Sequence, residues 1–295
     1  MPRRQALALL ALALCAALTA QSALATAPGR AGRIAYVSEP RLNGAFVESV
    51  LPAGGGSRRL SGRLPHGSSG PALAPGGGRI AVTVLKGNIR RVEILRGGAL
   101  HEIARGRAPA WSPGGRWIAF LSGQKVGSGI FLIHPDGTGL HAIGNRHLEL
   151  GGSPPAWSPD GRTLVYARQT RKGSALWSIG VDGTHVRPLV SAHSPAQPSF
   201  APDGRQIAFI AFGAQGRMGV WVARRDGSGA HALHVAPGNR TLLHFPVFSP
   251  DGRSLAFVLQ GAWMQIAVMR AADGGGLHVV SPRTRFIAGV DWARA

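Results

Sequence analysis

One phrase recurs along this chain. AWSPGGR (Ala110–Arg116), AWSPDGR (Ala156–Arg162), SFAPDGR (Ser199–Arg205) and VFSPDGR (Val247–Arg253) align at once. ALAPGGG (Ala72–Gly78) is a weaker fifth copy, and Val290-Asp291-Trp292 is a partial sixth. The motif prolines stand at 75, 113, 159, 202 and 250, so one unit spans 38 to 48 residues. Such a chain must build each unit as one supersecondary element that buries its apolar face against the next.

Each copy continues alike. An apolar run follows the turn: Ile80–Val84, Ile118–Leu121, Leu164–Ala167, Ile207–Ala211 and Leu255–Leu259. A second run comes after a loop: Ile130–Ile133, Ala175–Ile179, Val220–Ala223 and Ile266–Met269. Asp-Gly then stands at 136, 182, 226 and 273. Short runs rich in Ile, Val, Phe and Trp, bounded by Gly, Pro and Asp, read as strands. Asp-Gly between two runs favours a tight hairpin, because glycine accepts positive φ. Each unit is therefore predicted to have four strands, a to d, which is one propeller blade. Six units of about 44 residues account for the chain beyond residue 25. The C-terminus supplies only a strand a, Ile287–Trp292. The N-terminus supplies the other three: Ile34–Val37, Ala45–Val50 and Arg58–Leu60. Pairing the two ends closes the ring and leaves no open sheet edge. The predicted fold is all-β: a six-bladed β-propeller over residues 26–295, with four antiparallel strands per blade.

The phrase Trp-Ser-Pro-Asp-Gly-Arg, then an apolar strand, then Asp-Gly, resembles the WD-repeat-like six-bladed propeller of the TolB family. The resemblance reaches nearly the whole chain beyond residue 25. It is to the propeller part only, not to the α/β domain that precedes it in TolB. It implies a periplasmic binding scaffold.

Residues 1–25 read as a cleaved signal peptide. Arg3 and Arg4 precede an apolar run from Ala6 to Ala20, which ends in small residues. As a helix that run is about 22 Å long, short of the ~30 Å hydrocarbon core. Cys15, the single cysteine, lies inside it, so the exported chain is expected to have no disulfide and no thiolate metal site. No later run is long enough to span a membrane. The periplasm, the cell envelope and the extracellular space all fit.

Catalytic motifs are wanting. Gly67–Gly70 has the wrong spacing for a hydrolase elbow, and no phosphate loop or helix-borne metal motif occurs. Seven of the 13 carboxylates are turn aspartates: Asp136, Asp160, Asp182, Asp203, Asp226, Asp251 and Asp273. Their recurrence assigns them to local backbone N–H groups. Asp291, on an innermost strand, is either a site residue on the axis or a seam residue at ring closure. Arg58, His101, His141, Arg187, His231 and His278 form one column on the outermost strands, too far apart to share a metal. His147, His193 and His244 fall near the links between blades. With Asp291 they are the candidates for an axial pocket. Trp111, Trp157, Phe200, Phe248 and Trp292 share one strand-a position and read as packing between blades. No cofactor or metal is expected.

Charge carries the remaining signal. Lys and Arg number 33 against 13 Asp and Glu. Strand alternation puts the a–b and c–d turns on one face, and the variable b–c loops and d–a links on the other. Fifteen basic residues fall on the variable face: Arg41, Arg63, Lys86, Arg90, Arg91, Arg105, Arg107, Lys125, Arg146, Arg171, Lys172, Arg217, Arg240, Arg283 and Arg285. Only Glu39 and Glu149 oppose them. Such a face attracts anions, and arginine binds phosphate and carboxylate bidentately. A plain alternative is an arginine-rich coding bias on a solvated surface. Few aromatics are visible on the loops, which argues against nucleic acid. The expected function is non-enzymatic binding by an exported monomer, to an envelope or extracellular protein or an anionic polymer or lipid surface. The alternative is a lyase or hydrolase with a small-molecule site at the central channel, using His244 or Asp291.

Overall fold

A computed structural model describes residues 31–41, 44–122, 128–144, 150, 153–170, 173–191, 194–213, 216–238 and 240–294. Blade 1 contains β1 (Ala31–Arg41), β2 (Gly44–Val50) and β3 (Arg58–Arg59). Blade 2 contains β4 (Ser69–Leu73), β5 (Arg79–Lys86), β6 (Ile89–Arg96) and β7 (Ala99–Arg105). Blade 3 contains β8 (Arg107–Trp111), β9 (Ile118–Ser122), β10 (Gly129–Ile133) and β11 (His141–Ile143). Blade 4 contains β12 (Ala156–Trp157), β13 (Thr163–Thr170), β14 (Gly173–Gly180) and β15 (Arg187–Val190). Blade 5 contains β16 (Ala196–Phe200), β17 (Gln206–Phe212), β18 (Met218–Arg224) and β19 (His231–Val235). Blade 6 contains β20 (Leu242–Phe248), β21 (Ser254–Gln260), β22 (Met264–Arg270) and β23 (His278–Val279). β24 (Phe286–Arg294) then returns to blade 1, giving it the order β24-β1-β2-β3.

The ring closes as the repeat predicts. Ile34 pairs with Trp292 and Tyr36 with Val290, both antiparallel. Each of the six sheets has four antiparallel strands, and the six strands a line one central channel. The apolar residues sort into six clusters, one between each pair of neighbouring blades. The strand-a aromatics are the keys of this packing. Trp111 joins the cluster between blades 2 and 3, Trp157 that between 3 and 4, and Phe248 that between 5 and 6. Trp292 fills the seam between blades 6 and 1 and donates Nε1–H to the carbonyl of Gly32 (3.2 Å). Alternation explains the sorting: successive residues of a strand face the two flanking blades, so both faces are apolar.

Inner strands depart from a regular ladder at one point. Register shifts separate Ser69 from Ala72, Arg107 from Ala110, Ala196 from Ser199 and His244 from Val247. Each shift holds a left-handed residue followed by proline. These residues are Gly70 (φ 63), Ala108 (φ 55), Gln197 (φ 55) and Phe245 (φ 53). Three of them carry a side chain, at a cost of about 1–2 kcal/mol each. The bulges turn the start of these four inner strands toward the channel.

Candidate functional site

The two ends of the ring are built differently. On the turn face, the seven aspartates accept backbone N–H groups two residues on. Thr138, Arg162, Thr184, Arg205, Ser228, Arg253 and Gly275 donate at 2.9–3.0 Å. Ser158 and Ser249 donate to Asp160 and Asp251 at 2.6 Å, and each accepts the N–H five residues on at 2.9 Å. Arginines of this face are also met by acids: Arg225 lies 3.0 Å from Asp160 and Arg270 2.8 Å from Asp273. Asp273 is held down to about 2 by Arg270 and the Gly275 N–H. The turn face is thus occupied with its own stability.

The variable face is not. Of its fifteen basic residues, Lys125, Arg146, Arg171 and Lys172 lie outside the described residues, as does Glu149. Arg41 ends β1, and its side chain is outside them too. Arg63, Lys86, Arg90, Arg105, Arg240, Arg283 and Arg285 are exposed; Arg91, Arg107 and Arg217 are half-buried. The charge count needs one correction. Lys86 Nζ lies 2.6 Å from Glu93, and Arg91 pairs with Glu102. Cross-strand neighbours therefore neutralise two cations that sequence order left unopposed. Glu93 is fully buried, and its oxygens are out of line for a hydrogen bond, so the Lys86 contact is Coulombic. Glu39 is also spoken for, accepting His66 Nδ1–H (2.8 Å) and Gly67 N–H (2.8 Å). Arg90, Arg105, Arg107, Arg217, Arg240, Arg283 and Arg285 have no acidic partner among the described residues.

Arg90 and Arg107 converge with His244 on a cavity of about 430 Å³ at the channel mouth. Ser69, Gln197, Gln260 and the bulge residues Gly70, Ala108 and Phe245 join them in its wall, with Met264 and Phe286 as apolar lining, and no carboxylate among the described residues lines it. His244 Nε2 is 2.8 Å from Gln260 Oε1 and donates to it. Burial pushes the His244 pKa down, with the Gln260 contact opposing, so the ring is neutral near pH 7. The Gln197 side chain reaches the next blade and accepts the Phe245 N–H (2.7 Å). Thr83 Oγ1 accepts the Ala108 N–H (3.0 Å). The strained bulges are therefore pinned by side chains. Such a mouth can hold a carboxylate, a phosphate or a sulfate by forked hydrogen bonds.

The opposite end is an apolar collar of about 300 Å³. Pro75, Pro113, Pro202 and Pro250 line it, with the strand-a aromatics and Asp291. Asp291 bridges the seam: Leu73 of blade 2 donates to Oδ2 (2.7 Å) and Trp292 to Oδ1 (2.8 Å). Burial pushes its carboxyl up, and the two N–H groups offset part of the rise. His244 and Asp291 line different cavities, and His147 and His193 lie outside the described residues. The histidine column sits on six different outermost strands. His141, His231 and His278 each place Nδ1 at 2.8–2.9 Å from a glycine carbonyl two residues back. No three potential ligands gather around one point among the described residues.

Sequence reading passed over Gln197, Gln260 and the bulges. A proline stands four residues before each motif proline, and those at 71, 109, 198 and 246 directly follow the bulge residues, Gln197 among them; no comparable signal marks Gln260. It also undercounted aromatics on this face, where Phe212, Trp263 and Phe286 are exposed. Two of the three close or open a strand, so they read as core.

TolB from Acinetobacter baumannii is similar in structure, at 17% identity and a TM-score of 0.75; 89% of this chain and 66% of that one are covered. This chain thus spans just under two thirds of that TolB. A putative TolB from Agrobacterium tumefaciens is 20% identical, with a TM-score of 0.62 over 81% of this chain and 94% of that one. An oligogalacturonate lyase in complex with manganese is 12% identical, with a TM-score of 0.53 over 86% and 74%. At these identities the likeness is one of fold. No curated protein matches the sequence significantly. The family profile of the TolB beta propeller domain matches residues 27–242, most of the chain, which therefore belongs to the TolB β-propeller domain family.

Proposed function

We propose that this protein is an exported binding module, with residues 1–25 as its cleaved leader. Its variable face and channel mouth capture an anionic group of an envelope or extracellular partner. The observation that carries this reading is the mouth cavity: Arg90, Arg107, His244 and two glutamines, with no carboxylate among the described residues of the wall. The TolB likeness supports a scaffold role. The test is fluorescence anisotropy of a labelled oligoglutamate probe with residues 26–295. Arg90→Ala with Arg107→Ala is expected to weaken binding at least tenfold, since hydrogen bonds to charged groups contribute about 1.5–3 kcal/mol each. Arg116→Ala with Arg162→Ala, on the turn face, is expected to leave it within about twofold. Equal losses for both pairs would refute the assignment of the mouth.

His244 favours a second reading. A neutral, oriented imidazole beside two arginines could serve as the base of a lyase or hydrolase acting on an anionic substrate. Turnover of anionic oligosaccharides that disappears in His244→Ala would establish it. Absence of turnover in the parent, with oligoglutamate binding that depends on Arg90 and Arg107, supports the module.

A further inference from the structure

We infer that the sector of the variable face over blades 5, 6 and 1 docks on an anionic phospholipid bilayer. The inference rests on the reading of this face as anion-binding and names the partner. Three exposed aromatics carry it: Phe212 (40% exposed), Trp263 (45%) and Phe286 (42%). They are the exposed aromatics among the described residues, and all three lie at the variable end of consecutive blades. Of the exposed aliphatics, Leu140, Val186 and Leu277 lie on c–d turns of the opposite face and Leu51 borders another, while Leu60 and Val279 lie at the outermost strands of blades 1 and 6. Trp263 is the exposed one of seven tryptophans.

Charge is segregated in the same sector. Blades 5 and 6 have four acids, Asp203, Asp226, Asp251 and Asp273, each bound into a turn of the far face. Blade 1 adds Asp291 in the opposite collar, Glu48, held by Ser38 and Arg59, and Glu39, which stands across from Phe286 beside Arg285 and is taken up by His66 and the Gly67 N–H. On the near face, Arg217, Arg240, Arg283 and Arg285 stand around the aromatics with no acidic partner among the described residues. The target must therefore be negative and must also accept isolated apolar tips.

Geometry selects a bilayer. Phe212 closes strand b of blade 5, Trp263 stands in the b–c turn of blade 6 and Phe286 opens strand a of blade 1 at the channel mouth, so all three lie at one end of the ring, where a flat surface would meet them. The aromatics come singly, one per blade, with arginines between them. A protein partner would need a dehydrated pocket to draw much affinity from such side chains. A bilayer interface needs none, because tryptophan and phenylalanine settle at headgroup depth while arginines reach phosphates. Lipid phosphates and anionic headgroups supply the charge.

The test is flotation of residues 26–295, whose propeller closes on itself within residues 31–294, with phosphatidylcholine vesicles lacking or containing phosphatidylglycerol. Binding is expected only to the charged vesicles. Arg240→Gln, Arg283→Gln and Arg285→Gln together are expected to weaken it about a hundredfold, near fivefold per arginine. Phe212→Ser with Trp263→Ser, which leaves Phe286 of the mouth wall in place, is expected to weaken it at least tenfold, with circular dichroism confirming an unchanged fold. Brominated lipids are expected to quench tryptophan fluorescence in the parent but not in Trp263→Phe, which still floats. Binding that survives loss of these two aromatics, without quenching, would overturn the inference. Vesicles that fail while oligoglutamate binds would overturn it too, leaving the anion-binding face intact and a polymer or protein as partner. Failure of both probes would remove both readings.

Discussion

Asp291 offers a test of how the ring is sealed. Its carboxylate faces the channel and accepts two backbone N–H groups, one from each side of the seam between blades 1 and 2. Asparagine keeps one acceptor and turns an N–H₂ toward the other donor. A backbone N–H left facing a donor costs about 1–3 kcal/mol. For a domain of this size, Asp291→Asn should then lower Tm by about 2–10 °C. The pH dependence is more diagnostic. Burial raises the carboxyl above its ordinary 3.8, so the folded state binds a proton more tightly than the unfolded one. That contribution is complete below pH 3.8 and is lost as pH rises through the folded value. The wild type loses it and the variant has nothing to lose. The Tm deficit of Asp291→Asn is therefore largest near pH 4 and shrinks toward pH 8. Scanning calorimetry of both proteins across that range measures the difference directly. A deficit that grows with pH would mean the two N–H bonds outweigh burial. A constant deficit would mean the carboxyl is not shielded by the channel wall. Either result refutes the reasoning.

Two further substitutions probe the repeat itself. Ser112, Ser158 and Ser249 each accept the N–H five residues on at 2.9 Å, whereas blade 5 has the buried Ala201 in that place. Ala201→Ser should accept the Gln206 N–H and stabilise the protein by about 0.5–1.5 kcal/mol, read as a raised urea midpoint at constant slope. Gly289 has φ +110°, and a Cβ there would lie 2.9 Å from Gly70 Cα and 3.0 Å from Pro71 Cδ. Gly289→Ala should therefore cost about 2–4 kcal/mol, from strain and from pushing two inner strands apart, and lower the same midpoint.

The fold was legible because repetition multiplies weak signals. A single Trp-Ser-Pro-Asp-Gly-Arg is only a turn; five copies in register determine strand number, blade number and the pairing of the two ends. The turn aspartates were legible for the same reason, since seven residues in equivalent places share one hydrogen bond. The mouth was not. Gln197 and Gln260 belong to different blades and meet only because the bulges turn the inner strands toward the axis. Glu93 stands in a run, Ile89–Arg96, that reads as a plain strand, and its contact with Lys86 appears only when β5 and β6 are paired. Phe212 closes the apolar run Gln206–Phe212, where alternation cannot say that the last residue emerges into solvent.

Net charge alone says little about what this face does. Propeller turns need aspartate for reasons of backbone geometry, so the fold concentrates acids on the turn face whatever the protein binds. An arginine-rich composition spread evenly over both ends would then leave the variable end positive by default. That default does not require the described wall of the channel mouth to lack a carboxylate, since Glu39, Glu93 and Glu102 show that acids are accommodated at or near this end, each with a basic partner. Nor does it require solvent-exposed aromatics to collect at the basic end while exposed aliphatics collect largely at the other. A single exposed apolar side chain is ordinary on a surface; what departs from the default is that all three exposed aromatics among the described residues lie at the basic end. Two departures from the default, in the mouth and on the tips, fall on the same face. The charge is therefore read as functional because of what accompanies it, not because of its size.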